Sequence, residues 1–505
     1  MLLTDLAAAW RAVSETSARR EKTSLIASCL RDAGPEEAPL VVHYLAGELP
    51  QRQIGVGRSA LRDRPPAAST PALSVGRVDA VFSEIKAASG PGSVAGKRRL
   101  LHALLAEATG PEQEFLIRLL AGDLRQGALE GVMTEAIAKA AEVPAAAVRR
   151  AVMLRGSLSA VAVAALAGGA EALSAFTLRV GRPVRPMLAS SAPTLEEALK
   201  GEMAVEWKMD GIRAQLHVEN ERVRVFTRTL EEITSRVPEI VEQVGALGLR
   251  SAILDGELIA LREDGHPHPF QVTSARAATH SRSGSDGGGL SLFVFDVLHL
   301  DGVDLLDEPG SVRGEALVRA LPEPLRMPRT VTADLPEAEA FFADALAHGH
   351  EGVLLKSLDT PYTAGRRGAG WIKVKPRHTL DLVVLAVERG SGRRRGTLSN
   401  LHLGARDPRT GGFVMLGKTF KGMTDRMLAW QTERFTELKT DDDGWTVTVR
   451  PVQVVEIAFD GLQRSPRYPG GLALRFARVL RYRSDKTAEE ADTIDTVRTL
   501  ARFEP

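Results

Sequence analysis

At 505 residues the chain is too long for one compact core, and about 150 residues per domain points to roughly three domains. Its 44% hydrophobic and 26% charged residues are those of a globular protein. A single cysteine, Cys29, excludes a disulfide framework or a four-cysteine zinc module, and no apolar run reaches the ~20 residues of a membrane span. The net charge of +1 is unevenly spread: residues 1–185 carry 23 Lys+Arg against 18 Asp+Glu, residues 186–380 carry 21 against 29, and residues 381–505 carry 21 against 17. This pattern fits chance variation among solvated surfaces. It also fits outer parts that grip phosphates around a centre holding metal and catalytic carboxylates. The opening MLLTDLAAAWRAV lacks a basic stretch before its apolar residues, so it does not read as a signal peptide. With the lone cysteine, this leads us to expect a cytoplasmic protein.

Residues 1–175 read as helical. Leu116, Leu119, Leu120 and Leu124 recur at helical spacing, and AIAKAAEVPAAAVRRAVML is rich in helix formers. DRPPAASTPAL reads as a loop. VGRPVRPMLASSAP, with Pro183, Pro186 and Pro193, reads as the link into a second domain. From residue 203 the period changes. AVEWK, RAQLHV and RVRVFTR read as strands, with a hairpin turn at Glu219-Asn220-Glu221. SAILDGELIAL and LSLFVFDVLHL are further strands around a Gly/Ser/His-rich loop, and EGVLLKS and WIKVKP follow. This is a mixed α+β region ending near residue 380. DLVVLAVERG, LHLGAR, GGFVMLGKTF, WTVTVRP and VVEIAFD then suggest a small barrel.

Lys208, in Glu206-Trp207-Lys208-Met209-Asp210-Gly211-Ile212-Arg213, ends a strand before a turn with Asp and Gly. K-x-D-G alone would occur by accident in roughly one chain in fifteen of this length, and alone it would read as a surface lysine. Its company changes the balance. Asp255-Gly256-Glu257 and Phe295-Asp296 lie in apolar strands downstream. Glu351-Gly352 opens EGVLLK, Lys373 and Lys375 follow Arg367, and Arg483-Ser484-Asp485-Lys486 lies near the end. A free lysine amine is a poor nucleophile at pH 7, and burial with neighbouring cations would lower its pKa. Lys373 and Lys375 alternate around Val374, so on a strand both would face one anionic ligand. Glu257 and Glu351 are hard oxygen ligands suited to Mg²⁺ or Mn²⁺. An exposed Phe295 would stack on a base; buried, it would be a core residue.

This ordered set resembles the motifs of the covalent nucleotidyltransferases, which are DNA ligases, RNA ligases and mRNA capping enzymes. FLIRLLAGDLRQGALEG, with Gly122, Leu124, Arg125 and Gly127, resembles the helical DNA-binding domain of archaeal and eukaryotic-type ATP-dependent DNA ligases. Gln126 departs from the apolar residue usual there. RPVRPMLA resembles that family's entry into its nucleotidyltransferase domain, and RFARVLRYRSDK the end of its OB-fold domain. The resemblance implies an all-α DNA-binding domain at 1–185, an α+β adenylation domain at 186–380 and a β-barrel OB-fold domain at 381–505. It implies a monomer that uses ATP and Mg²⁺ to seal nicks in double-stranded DNA during replication, repair and recombination.

The same resemblance assigns roles. Lys208 matches the adenylated lysine and Glu206 the residue at the adenine edge. Arg213 and Glu257 match groups around the ribose and active centre. Arg228, in FTRTLEE, matches the arginine after the nucleophile hairpin, although Thr229 stands where asparagine is frequent. Phe295 matches the base-stacking position, and Arg367, Lys373 and Lys375 lie on the phosphate side. Arg483, Asp485 and Lys486 match the motif that orients departing pyrophosphate. The alternatives are a capping guanylyltransferase or RNA ligase, neither expected to carry the helical domain, and a non-catalytic DNA clamp, which has no use for Lys208 beside two metal-type carboxylates.

Overall fold

The computed structural model describes residues 1–500 apart from 58, 59, 63, 125–129, 279–288, 365, 366, 377, 392 and 393, and apart from the side chains of 367–369. Arg125, Gly127 and nearly all of the Gly/Ser/His-rich loop therefore lie outside the described residues. The chain forms two compact units, Met1–Lys373 and Val374–Pro505. Among the described residues, no helix is long and apolar enough to cross a membrane.

The first unit opens with helices at Leu3–Glu15, Arg19–Ala46, Val75–Ala87, Ser93–Glu107, Gly110–Leu120, Glu130–Ala140, Ala145–Arg155 and Leu158–Ser174. Their apolar stripes meet in one core that includes Leu6, Trp10, Ile26, Leu30, Phe82 and Phe115. Leu116 and Leu119 belong to it as expected, but the helix stops at Leu120. Leu124 is buried beyond the helix end, where its carbonyl accepts a hydrogen bond from Trp10 Nε1 at 3.2 Å. AIAKAAEVPAAAVRRAVML is likewise split, because Pro144 caps a new helix beginning at Ala145 and cannot continue the previous one.

The strands that follow are β1 (Leu188–Ser191), β2 (Met203–Trp207), β3 (Ile212–Glu219), β4 (Arg222–Thr227), β5 (Ser251–Ala260), β6 (Leu290–Leu300), β7 (Val303–Asp304), β8 (Arg329–Thr332), β9 (Val353–Ser357) and β10 (Arg367–Val374). They build two five-stranded sheets, ordered β4-β3-β5-β6-β7 and β1-β10-β9-β2-β8. The β3–β4 turn is Asn220-Glu221, both at positive φ, the geometry of a two-residue hairpin loop. Strand alternation gives β5 two buried faces. Leu254 and Leu258 enter a core with Ile240, Val244 and Leu317, whereas Ile253 and Ile259 enter one with Met209, Phe295, Tyr362 and Trp371. Asp255 and Glu257 share the parity of Ile253 and Ile259. The proline-rich link does not run free. Val184 exchanges backbone hydrogen bonds with the Gln215 amide, Gly181 N–H donates to His217 Nδ1 at 2.9 Å, and the segment supplies β1, which pairs with β10.

The second unit contains β11 (His378–Arg389), β12 (Leu398–Arg406), β13 (Phe413–Thr419), β14 (Lys439–Asp442), β15 (Thr446–Val449), β16 (Val454–Phe459), β17 (Gly461–Arg464), β18 (Leu472–Arg475) and β19 (Arg478–Arg483). Long β11 pairs with β12 on one side. On the other it pairs with β16 through residues 378–383 and with β15 through 386–388. Helix Asp425–Glu437 contributes Leu428 and Phe435 to the core. The five strands read from the sequence are present, but the ladders form a seven-stranded sheet that no described pairing closes into a barrel.

Candidate active site

Lys208 sits one residue past β2. Its N–H donates to Gly352 O at 2.8 Å and its carbonyl accepts from Glu351 N at 2.9 Å. This reciprocal pair fixes the K-x-D-G turn against the residues that open β9. Each motif glycine has a local reason. A Cβ on Gly211 would collide with the Leu258 carbonyl and come within 2.8 Å of Glu257 Cγ. Gly352, with φ of 136°, lies outside the range side chains tolerate.

The Lys208 ammonium ion-pairs with Glu351 Oε2, and both side chains are half-buried. Burial works against the charge, but Glu351, Glu257 and Asp210 outweigh it and hold the lysine pKa above its ordinary value. This corrects the expected downward shift: carboxylates, not cations, dominate the surroundings. Burial in turn pushes Glu257 up to about 7, with Lys208 and Arg213 pulling the other way and Asp255 and Glu351 adding to the rise. Two hard carboxylates that repel each other around one lysine are a donor set suited to a divalent cation. No group of three or more His, Cys, Asp or Glu suited to a metal occurs among the described residues.

Glu206 is buried, and its carboxylate meets Lys356 Nζ at 2.6 Å. Lys356 also donates to Phe295 O at 2.8 Å and stands 4.5 Å from the ring centroids of both Phe295 and Trp371. Burial pushes the Glu206 carboxyl up and pulls the Lys356 ammonium down. Phe295 is only 9% exposed and meets Trp371 edge-on. It is therefore a core residue under two cations, Lys356 and Arg213, and not an exposed platform.

Arg213 is held by three partners. It forms a bidentate pair with Asp255 at 2.9 and 2.6 Å and donates to Met187 O at 2.6 Å. It also meets Tyr362 OH at 3.0 Å, whose hydroxyl donates to Asp255 at 2.7 Å. Arg228 remains exposed in the turn after β4. Lys373 is half-buried on β10, but that strand ends at Val374. Lys375 therefore lies past it, 3.8 Å from Asp460, and the expected alternation of both lysines along one strand does not hold. The Arg367 side chain lies outside the described residues. In the second unit, Arg483 pairs with Asp485 at 2.6 Å and Asp381 at 2.8 Å, and Lys486 pairs with Asp381 at 2.6 Å.

Sequence reasoning assigned no chemical role to Lys356, Tyr362 or Asp381, the last of which it placed only at a hinge near Pro376–Asp381. Lys356 had a signal, since it closes the EGVLLK run. The other two are joined to their partners only by long-range folding. Trp207, between Glu206 and Lys208, packs half-buried against His348 and His350, with ring centroids at 4.9 and 4.8 Å.

Three family models match the chain: the DNA ligase N terminus over residues 58–138, the ATP dependent DNA ligase domain over 186–375, and the ATP dependent DNA ligase C terminal region over 394–486. A "Probable DNA ligase" of Mycolicibacterium paratuberculosis is 57% identical over 508 residues, covering 99% of this chain and 98% of its own. One from Streptomyces griseus subsp. griseus is 58% identical over 514 residues, covering 99% and 100%. The solved structure "Pmar-Lig_Pre." superposes with a TM-score of 0.65 at 18% identity, covering 95% of this chain and 99% of that one, a likeness of fold. With Lys208 and its carboxylates held by the matched middle region, the chain belongs to the ATP-dependent DNA ligases.

Proposed function

We propose that this ligase seals nicks in duplex DNA through an AMP carried on Lys208. In the first step Lys208 Nζ, having lost a proton, bonds to the α-phosphorus of ATP, and the bond to pyrophosphate breaks. AMP then passes to the 5′-phosphate at a nick. The 3′-hydroxyl attacks that phosphate, forms the phosphodiester and releases AMP. The observation that carries this reading is the Lys208–Glu351 pair, an amine beside its own proton acceptor on a turn fixed by two backbone hydrogen bonds. Glu351 holds the ammonium until ATP binds, and Glu257 lies close enough to feel both charges.

Glu257 and Glu351 would hold a divalent cation, Mg²⁺ or Mn²⁺, which when bound neutralises phosphate charge. Glu206, kept in place by Lys356, would meet the adenine edge. Arg213 shapes the wall beside the ribose through Asp255 and Tyr362, and Phe295 backs that wall. Lys373, with Arg367, Arg228 and Lys375, would serve the phosphates, and Arg483, Asp485 and Lys486 the leaving pyrophosphate. Residues 1–185 would grip the duplex backbone, 186–380 carry the adenylation chemistry, and 381–505 act as an OB-fold module. We read the protein as a cytoplasmic monomer acting in replication, repair and recombination.

The test is a mass spectrum of the full chain after incubation with ATP or GTP, with the modified peptide sequenced. The expected result is one AMP on Lys208 and none with GTP. A GMP adduct would favour the capping reading, and no adduct on Lys208 would defeat this one.

A further inference from the structure

The second unit holds a cluster organised by a residue outside every motif. Asp381, near the start of β11, is a buried carboxylate. Its Oδ2 accepts from Arg483 Nη1 at 2.8 Å and from Lys486 Nζ at 2.6 Å. The two cations reach it from more than a hundred residues away. The backbone of Asp381 is fixed as well. Its N–H donates to Asp492 Oδ2 at 2.7 Å, and its carbonyl accepts from Asp492 N at 2.9 Å. Arg483 turns its remaining edge, Nε and Nη2, to Asp485. The two carboxylates differ in setting. The Asp381 side chain is 11% exposed and the Asp485 side chain 61%. Asp381 is the more enclosed of the two.

Two like charges do not gather on one oxygen unaided. Cations held side by side away from bulk water repel each other. A buried carboxylate between them removes that repulsion and sets their spacing. We propose that Asp381 is a positioning residue for the first step: it holds Arg483 and Lys486 side by side as a preformed pair for the pyrophosphate that leaves ATP. This rests on the reading of Arg483 and Lys486 as pyrophosphate contacts. Asp381 itself touches neither nucleotide nor DNA in this account. Its effect is confined to the step in which pyrophosphate departs, and to the reverse of that step.

The test uses the full chain and three readouts: self-adenylation across ATP concentrations, pyrophosphate-driven loss of AMP from the adenylated enzyme, and sealing of a nick that already carries 5′-AMP. For Asp381→Asn we expect adenylation and its reversal to fall about ten- to a hundredfold, with sealing of the adenylated nick within about twofold of wild type. A merely structural role would lower all three together. A double-mutant cycle supplies the second readout: Asp381→Asn should add little to Lys486→Ala, because both remove one arrangement. If Asp381→Asn fails to fold, Asp381→Glu keeps the charge and displaces it by one methylene, and the same selective loss, smaller in size, is expected. Wild-type adenylation in a folded Asp381 variant, or full additivity with Lys486→Ala, overturns the proposal. Wild-type adenylation in Arg483→Ala and Lys486→Ala overturns the underlying reading instead.

Discussion

Two ion pairs lie within a few residues of each other on the same strand-turn-strand unit, and they are built in opposite ways. Arg213 is held by Asp255, Met187 and Tyr362, and Asp255 is only 1% exposed. Lys208 has one close carboxylate, Glu351, and a second, Glu257, that burial pushes up to about 7. The first network fixes its guanidinium through three partners, so we expect it to act mainly as scaffold. The second keeps charges whose balance a nucleotide would change. Resemblance alone assigned both Arg213 and Lys208 to the nucleotide site. The differing contacts of the two groups suggest a wall and a reagent, and that separation can be tested by asking which residues cost activity and which cost stability.

The largest effect should come from Lys208→Arg. Arginine keeps the charge beside Glu351 but cannot act as the nucleophile, so self-adenylation should fall more than about a thousandfold. Thermal stability should stay within about 1 kcal/mol of wild type. A folded variant that still forms the AMP adduct at wild-type rate would remove Lys208 from the mechanism.

Asp255→Asn should show the reverse pattern. Removing one partner of a buried pair leaves the other uncompensated, at about 3–5 kcal/mol. Here the stranded group is Arg213, which would face an amide with one oxygen in place of a carboxylate, and that oxygen must also serve the Tyr362 hydroxyl. Denaturant unfolding should register the loss, and activity at low temperature should persist in the fraction still folded. Wild-type stability with complete loss of adenylation would make Asp255 a reagent and break the distinction.

How far the site was legible in sequence follows the same line. The order of the motifs and the local strand alternation are near-neighbour properties, so β2, β3, β5, β6 and β9 could be read directly. The closure of Arg213 could not, because Tyr362 lies 149 positions away and only the packing of two sheets brings it there. Phe295 was ambiguous for a related reason. Alternation along β6 cannot say which face another sheet will cover, and Trp371 covers this one. The Lys208 shift was read in the wrong direction because burial and neighbouring cations were weighed, and the carboxylates Glu351 and Glu257 that the fold brings close were not. In the helical region composition revealed helices but not their ends, which Pro144 and the stop after Leu120 decide.

Glu257→Ala and Glu351→Ala should each reduce adenylation about a hundredfold, with smaller changes in stability than Asp255→Asn, since both carboxylates face Lys208. Raising Mg²⁺ should recover part of the loss in either variant if the two carboxylates share a cation. Normal sealing by both across the Mg²⁺ range would show them to be structural.

The smallest effect comes from a saturated carboxylate in the second unit, and it carries the comparison to pH. Glu388 accepts from Asn400 Nδ2 at 2.6 Å and His402 Nε2 at 3.1 Å, and it pairs with Lys418. Burial alone would raise its pKa, but these three donors outweigh it and hold the carboxyl at about 2 against an ordinary 4.5. A group depressed on folding contributes stability above its unfolded pKa, and that contribution is lost as pH falls through the folded value. The window here therefore runs from about 4.5 down to about 2. Discounted for screening near the surface, the contribution is about 1–2 kcal/mol. Glu388→Gln should lower the melting temperature of the second unit at pH 7 and flatten its decline between pH 4.5 and 2.5, while leaving the first unit's transition in place. Calorimetry of the full chain at a series of pH values measures both effects. A variant with an unchanged acid profile would mean that the three donors around Glu388 hold it no more tightly than water does.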